Sequence, residues 1–169
     1  MLSALKRMGW SVSSGVSIAG LVALMFLAAL TLVDGLMRAF FSHPLEGVRD
    51  VGGLAIAIGV TCCFPIALME RTNITVRFMA TLFGMRVSRW CDLLASLLTG
   101  MVFFCMAWQF THYAFTLAAT KETTWILHIP AAPFWFGVAA VLWLSALIQC
   151  IVIIGDAARI KEPPEVEQI

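Results

Sequence analysis

The chain has 169 residues, 61% of them hydrophobic and 12% charged, with 11 Lys and Arg against 10 Asp and Glu for a formal net charge of +1. Soluble globular chains carry roughly a quarter charged residues, so this composition excludes a water-soluble domain and describes a membrane protein. No nucleic-acid partner is expected.

Crossing a hydrocarbon layer takes roughly 20 apolar residues as a helix. Runs of that kind lie at about Val16 to Leu36, Val51 to Met69, Leu93 to Ala119 and Ala131 to Gly155. The expected fold is therefore an all-α membrane protein of four transmembrane helices. Residues 1–158 form one domain, and 159–169, ending in "KEPPEVEQI", form a short cytoplasmic tail whose prolines and charges predict disorder.

The first run follows Lys6 and Arg7 in the manner of a signal peptide. It is too long for one and has no clear small-x-small cleavage site, so it reads as a retained anchor. At its end Asp34 and Arg38 are four apart and can pair on one helix face.

A polar island, "HPLEGVRD", opens the second run. Glu46, Arg49 and Asp50 are spaced by three and four, so all can face one side of a helix start, where the helix dipole favours acids. Arg49 can neutralise one acid and leave the other for a basic group nearby or on a partner; a solvated cap at headgroup level is the competing reading. Inside the run, Gly53 with Ala57 and Ala55 with Gly59 form small-x-x-x-small pairs within "GGLAIAIG", a surface smooth enough for another helix to approach closely. Ala139, in the fourth run, serves as a lipid-facing reference position. Pro65 removes a backbone hydrogen bond near the end of the second run and is expected to bend it.

The next stretch, "ERTNITVRFMATLFG", places Ile74, Val76, Phe78, Met79, Leu82 and Phe83 on one arc, with Asn73, Arg77, Ala80, Thr81 and Gly84 opposite. That pattern predicts a short amphipathic helix lying along the membrane surface between spans two and three. Span three then runs without a formal charge from Leu93 to Thr120, roughly 42 Å of helix at 1.5 Å per residue. This exceeds a hydrocarbon core of roughly 30 Å, so the helix must tilt, kink or protrude, which suits a protein wrapped around a larger neighbour.

Orientation follows from the basic residues. Lys6, Arg7, Arg71, Arg77, Arg86, Arg89, Arg159 and Lys161 fall on one side of the membrane, against Arg38, Arg49 and Lys121 on the other. The richer side is cytoplasmic by the positive-inside rule, and both termini lie there. Trp10 and Trp90 belong to that interface, Trp125 and Trp135 to the opposite one, and Trp108 and Trp143 lie deeper.

Chemistry has few footholds. Cys62, Cys63, Cys91, Cys105 and Cys150 form no Cys-x-x-Cys motif and read as apolar fillers. Only His112 lies within a span, where a haem would need facing histidines. Asp34, Glu46, Asp50, Glu70, Asp92, Glu122 and Asp156 all sit at or near span ends, leaving the membrane middle without the carboxylate of an ion pathway. Thr61, Gln109, Thr111, Ser145 and Gln149 are deeper and read as groups that bond across helices. No enzyme activity, cofactor or metal is expected, and no internal repeat of the kind found in complete secondary transporters is visible.

Taken in order, "PLEGVRDVGG" entering span two, "ERTNITVRF" after it and the proline-led "HIPAAPFWFG" entering span four resemble the small membrane subunit of tripartite ATP-independent periplasmic transporters over nearly the whole chain. Glu46 matches the acidic entry to span two, and Arg71, Asn73, Ile74 and Val76 match the basic-polar segment that follows it. Many relatives carry Arg-Gly-x-His-x-x-x-Asp there, a pattern from which Asn73 and Arg77 depart. The resemblance implies a bacterial inner-membrane complex in which a larger permease holds the substrate and sodium sites, while a periplasmic binding protein delivers an organic acid. The small subunit would be a scaffold in contact with the permease, the binding protein and membrane lipids. Its candidate contact residues are Glu46, Arg49, Asp50, Gly53, Gly59, Arg71, Asn73 and Arg77. A self-contained homo-oligomeric channel or carrier is the alternative.

The charge asymmetry predicts a topology. With the native cysteines replaced, an impermeant thiol reagent added outside is expected to label a cysteine at Thr123 and to leave one at Thr81 unlabelled. The reverse pattern would contradict the orientation.

Overall fold

The structure is a computed structural model that describes residues 2–41, 47–70, 85–124 and 126–161. Five helices account for nearly all of them: α1 (Leu2–Phe41), α2 (Val48–Thr61), α3 (Phe64–Glu70), α4 (Met85–Thr120) and α5 (Ala132–Lys161). There are no strands among the described residues, only an isolated bridge between Thr123 and Pro130. Four stretches are long and apolar enough to cross a membrane: Arg7–Phe41, Asp50–Glu70, Arg89–Thr120 and Ala132–Ala158. The four expected spans are thus present. The surface helix expected between spans two and three falls on residues outside those described.

In hydrocarbon no water is available to satisfy a backbone amide, so a spanning segment must close its own hydrogen bonds. Side-chain hydroxyls follow the same constraint. Thr61, Thr99, Thr111, Thr116 and Ser145 each donate to a carbonyl four residues earlier in their own helix, at 2.6–3.0 Å.

Span two is broken rather than gently bent. α2 ends at Thr61, Cys62 and Cys63 form a turn, and α3 begins at Phe64 with Pro65 in its first turn. Proline has no N–H to contribute there, and in a first turn none is needed. A break in lipid exposes carbonyls, and α1 supplies a donor for one: Ser17 Oγ donates to the Cys62 carbonyl at 2.8 Å.

α1 reaches that carbonyl because the two helices are almost in backbone contact. A Cβ on Gly20 would overlap Cys62 Cβ and lie 3.0 Å from the Gly59 carbonyl, so only glycine fits. The buried positions of α1 recur at intervals of seven, Ser13, Gly20 and Leu27, with Ser17 and Leu24 half-buried beside them. Farther along, Gly9 meets the end of Met69 in α3.

The core lies between α4 and α5. Ala107, Val138 and Leu142 form its centre, with Ala57 and Ile58 of α2, Phe64 of α3 and Phe103, Phe110, Trp135 and Trp143 packed around it. On α4 the residues Gly100, Ala107 and Ala114 recur every seventh position. Ala107 and Ala114 are fully buried, and a Cβ on Gly100 would press on Ile153 and Gln149. On α5 the facing residues Leu142, Gln149 and Asp156 recur at the same interval, with Val138 one turn before them and Ser145 between the first two. A seven-residue repeat keeps two helices in register along their length, and small side chains let them approach. Edge-on aromatic pairs flank the seam, Phe64 with Phe103 and Phe104 with Trp143, each with centroids 5.5 Å apart.

Ala139 belongs to this buried set, at 3% exposure, which corrects its assignment as a lipid-facing reference. The fourth run is buried on two adjacent positions, Val138 and Ala139, because α2 and α3 also pack against α5. Gly35, where an added Cβ meets nothing within 4 Å, is a better reference.

Close approach at Gly20 is expected to be costly to lose. Gly20→Leu must displace backbone at Gly59 and should lower stability by at least about 1–3 kcal/mol, the scale of overpacking a tight interior. Gly35→Leu should be nearly neutral. Thermal unfolding of the two purified variants checks this, and equal midpoints would contradict the α1–α2 contact.

Candidate functional site

The candidate residues do not form one cluster. Glu46, Arg71, Asn73 and Arg77 lie outside the described residues, as does the side chain of Arg49, whose backbone is in the first turn of α2. Asp50, Gly53 and Gly59 are described, and each does something different.

Gly59 is buried against α1, where an added Cβ would lie 2.6 Å from Leu24 Cγ. Its small-residue contact is therefore made within the chain. Gly53, six residues earlier, is exposed and has nothing within 4 Å of where a Cβ would be. The two glycines were expected to act together. One helix turn carries about 100° per residue, so a separation of six places them on different faces of α2.

Asp50 reaches across to the connection between α4 and α5. Its Oδ2 accepts hydrogen bonds from the backbone N–H groups of Ile126, at 2.7 Å, and Leu127, at 3.2 Å. Thr124 and His128 also face the carboxylate. The connection is itself folded: Thr124 N donates to the Ile129 carbonyl, Ile129 N to Thr124 Oγ1 and Ala131 N to the Glu122 carbonyl. Lys121 and His128 adopt left-handed backbone angles, φ 53° and 52°, which turn the chain at either side of it. A second contact sits beside the first. Gly47, at φ 94°, precedes α2, and a Cβ there would lie 2.5 Å from Leu127 Cδ1. Gly47 thus needs glycine twice over, for its dihedral and for the space Leu127 occupies.

At the other end of the bundle, α4 and α5 share a polar contact. Ser96 Oγ donates to Asp156 Oδ2 at 2.5 Å, and Gln149 Nε2 donates to the Ser96 carbonyl at 2.9 Å. Asp156 is 7% exposed and Gln149 3%. Burying a carboxylate is costly unless it is bonded, and the serine supplies part of that bonding. In the sequence alone Asp156 is one more acid at a span end. Its spacing from Gln149, seven residues, is the signal that both face the same neighbour. Nearer the middle, Trp143 Nε1 donates to Thr111 Oγ1 at 3.0 Å.

The expected bonding across helices is therefore made by Gln149, Thr111 and Trp143, while Thr61 and Ser145 bond within their own helices and Gln109 faces outward. The Asp34–Arg38 pair forms as its spacing indicates, at 3.4 Å on the surface of α1. All five cysteines are free. Among the described residues, no group of three or more His, Cys, Asp and Glu is placed to hold a metal ion.

Much of what remains outward is apolar. Ile18, Leu21, Met25, Phe26 and Leu32 of α1 are 56–71% exposed, and Leu98, Met101, Trp108 and Phe115 of α4 are 60–67% exposed. Exposure on this scale fits contact with lipid or with another membrane protein.

Comparison with known proteins gives one match. The family model described as the DctQ component of tripartite ATP-independent periplasmic transporters matches residues 27–159. No curated protein and no solved structure matches the chain.

Proposed function

The chain belongs to the DctQ family, the small membrane component of tripartite ATP-independent periplasmic transporters, and on that premise we propose that it is the non-catalytic scaffold of such a transporter. It anchors the large permease, which carries out sodium-coupled uptake of organic acids delivered by a periplasmic binding protein. The complex sits in the bacterial inner membrane, with both termini of this chain cytoplasmic and the Asp50 end of the bundle facing the periplasm.

The observation that carries this reading is the division of polar and apolar groups. Asp156, Gln149, Ser96, Thr111 and Trp143 are used in contacts between α4 and α5. They are engaged with one another across that seam and hold the bundle together. The long outward faces of α1 and α4 are mostly apolar, with the mid-span polar groups Gln109 and His112 also exposed on α4. A membrane helix pair built this way binds neighbours better than it conducts ions. The length of the helices supports the same view: α1 has 40 residues and α4 has 36, roughly 60 and 54 Å at 1.5 Å per residue. Both exceed the hydrocarbon thickness, and their excess must tilt or protrude, to the benefit of a larger partner.

Gly53 is the described candidate residue best suited to that contact, because it is smooth and has nothing over it in the isolated chain. Gly53→Leu is expected to leave the isolated chain as stable as the parent and to reduce recovery of the large permease with an affinity-tagged chain. Size-exclusion chromatography coupled to mass measurement separates the two functional classes. A complex with one much larger hydrophobic protein supports the scaffold, and an assembly whose mass is a multiple of this chain alone supports the homo-oligomeric channel. Full recovery of the permease with Gly53→Leu would remove span two from the contact.

A further inference from the structure

The two segments that meet at Asp50 are 76 residues apart in sequence. At the start of α2, Val51 N bonds to the Gly47 carbonyl. The loop from Lys121 to Ala131 carries its own internal hydrogen bonds. Yet one carboxylate oxygen accepts two consecutive loop amides, and Leu127 fills the space left by Gly47. Amides that point together at one oxygen form a small anion-binding concavity, and here the chain supplies the anion itself.

We infer that Asp50 is a positioning residue that locks the α4–α5 loop onto the start of α2, so that the loop is ready-formed before any partner arrives. The lock joins the entry of span two to the link between spans three and four, and makes them one body at that end of the bundle. Without Asp50 the Ile126 and Leu127 amides lose their acceptor, and Leu127 remains the contact between loop and helix. Resting on the transporter reading, the lock holds the periplasmic surface on which the binding protein must settle. A loop fixed in advance spares the encounter the ordering cost that a mobile loop would add.

Hydrogen–deuterium exchange of the purified chain in lipid nanodiscs reads the two amides directly. In the parent, the peptide covering 122–131 is expected to be protected at Ile126 and Leu127. Asp50→Ala should abolish that protection and leave peptides of α4 and α5 unchanged. Asp50→Asn keeps an acceptor of the same shape without the charge and should give intermediate protection. Unchanged exchange of the loop in Asp50→Ala would overturn the inference. If Asp50→Ala loosens the whole bundle, Asp50→Asn decides: faster exchange confined to the loop supports the lock, and exchange equal to the parent overturns it. In vesicles holding the complete transporter, the binding-protein concentration giving half-maximal uptake should rise several-fold for Asp50→Ala while the maximal rate is kept. A lower maximal rate at an unchanged half-saturating concentration would overturn the positioning role. Uptake indifferent to the presence of this chain would sink the transporter reading and leave the exchange result standing.

Discussion

The seam between α4 and α5 is the constraint on which the rest of the molecule depends. Water drives apolar helices together in a soluble bundle, but lipid tails are as apolar as leucine and give no such push. The seam is held by shape and by a few directed bonds. Gly100, Ala107 and Ala114 bring α4 close, and the closeness puts Gln149 within reach of the Ser96 carbonyl and Asp156 within reach of its hydroxyl. Bonds of this kind measure only about 0.6 kcal/mol on average in membranes. Their larger effect is on register, because a slip by one turn would leave a buried carboxylate without its serine, and that costs more than the bond contributes.

Everything else is docked on this pair. α2 and α3 lie against α5, with Ala57, Ile58 and Phe64 reaching the core around Leu142. α1 is attached in turn through α2 and α3, at Gly20 and Ser17. The break at Cys62 and Cys63 allows span two to follow both neighbours. The carbonyl it exposes is answered from α1, so the break and the α1 contact depend on each other. The outermost helix buries only one narrow stripe and shows most of its length to its surroundings. A bundle with its core at one side and a long apolar helix at the other leaves a broad surface for lipid or for a second membrane protein.

Much of this was legible in the sequence, for physical reasons that differ from element to element. Four spans follow from composition, since nothing else accommodates so many apolar residues. Asp34–Arg38 is legible because four residues are one helix turn, and the break near Pro65 because proline lacks an N–H. The small residues of span two were also visible, but periodicity alone did not separate Gly59, packed on Leu24, from Gly53, open to the surroundings. The seven-residue repeat of Gly100, Ala107 and Ala114 escaped notice because three small residues at that spacing mean little until Leu142, Gln149 and Asp156 are seen opposite. The partner of Asp50 is not legible at all. Spacing finds partners within a few turns of one helix, and the amides it binds are in another loop. The charge cluster at the entry of span two suggested a basic group for its spare acid, whereas Asp50 is satisfied by two uncharged backbone N–H groups.

As the proposed scaffold, this chain supports transport without touching what is transported. Sodium-driven uptake by vesicles containing the large permease, with the binding protein supplied outside, tests that role most directly when measured with and without the small subunit. Vesicles lacking the chain are expected to take up little substrate. Restored uptake should show the same sodium dependence and substrate preference whether the chain is the parent or carries substitutions at its exposed mid-span polar groups, Gln109 and His112. Uptake that is unaffected by omitting the chain, or a substrate preference that changes with those substitutions, would contradict the account.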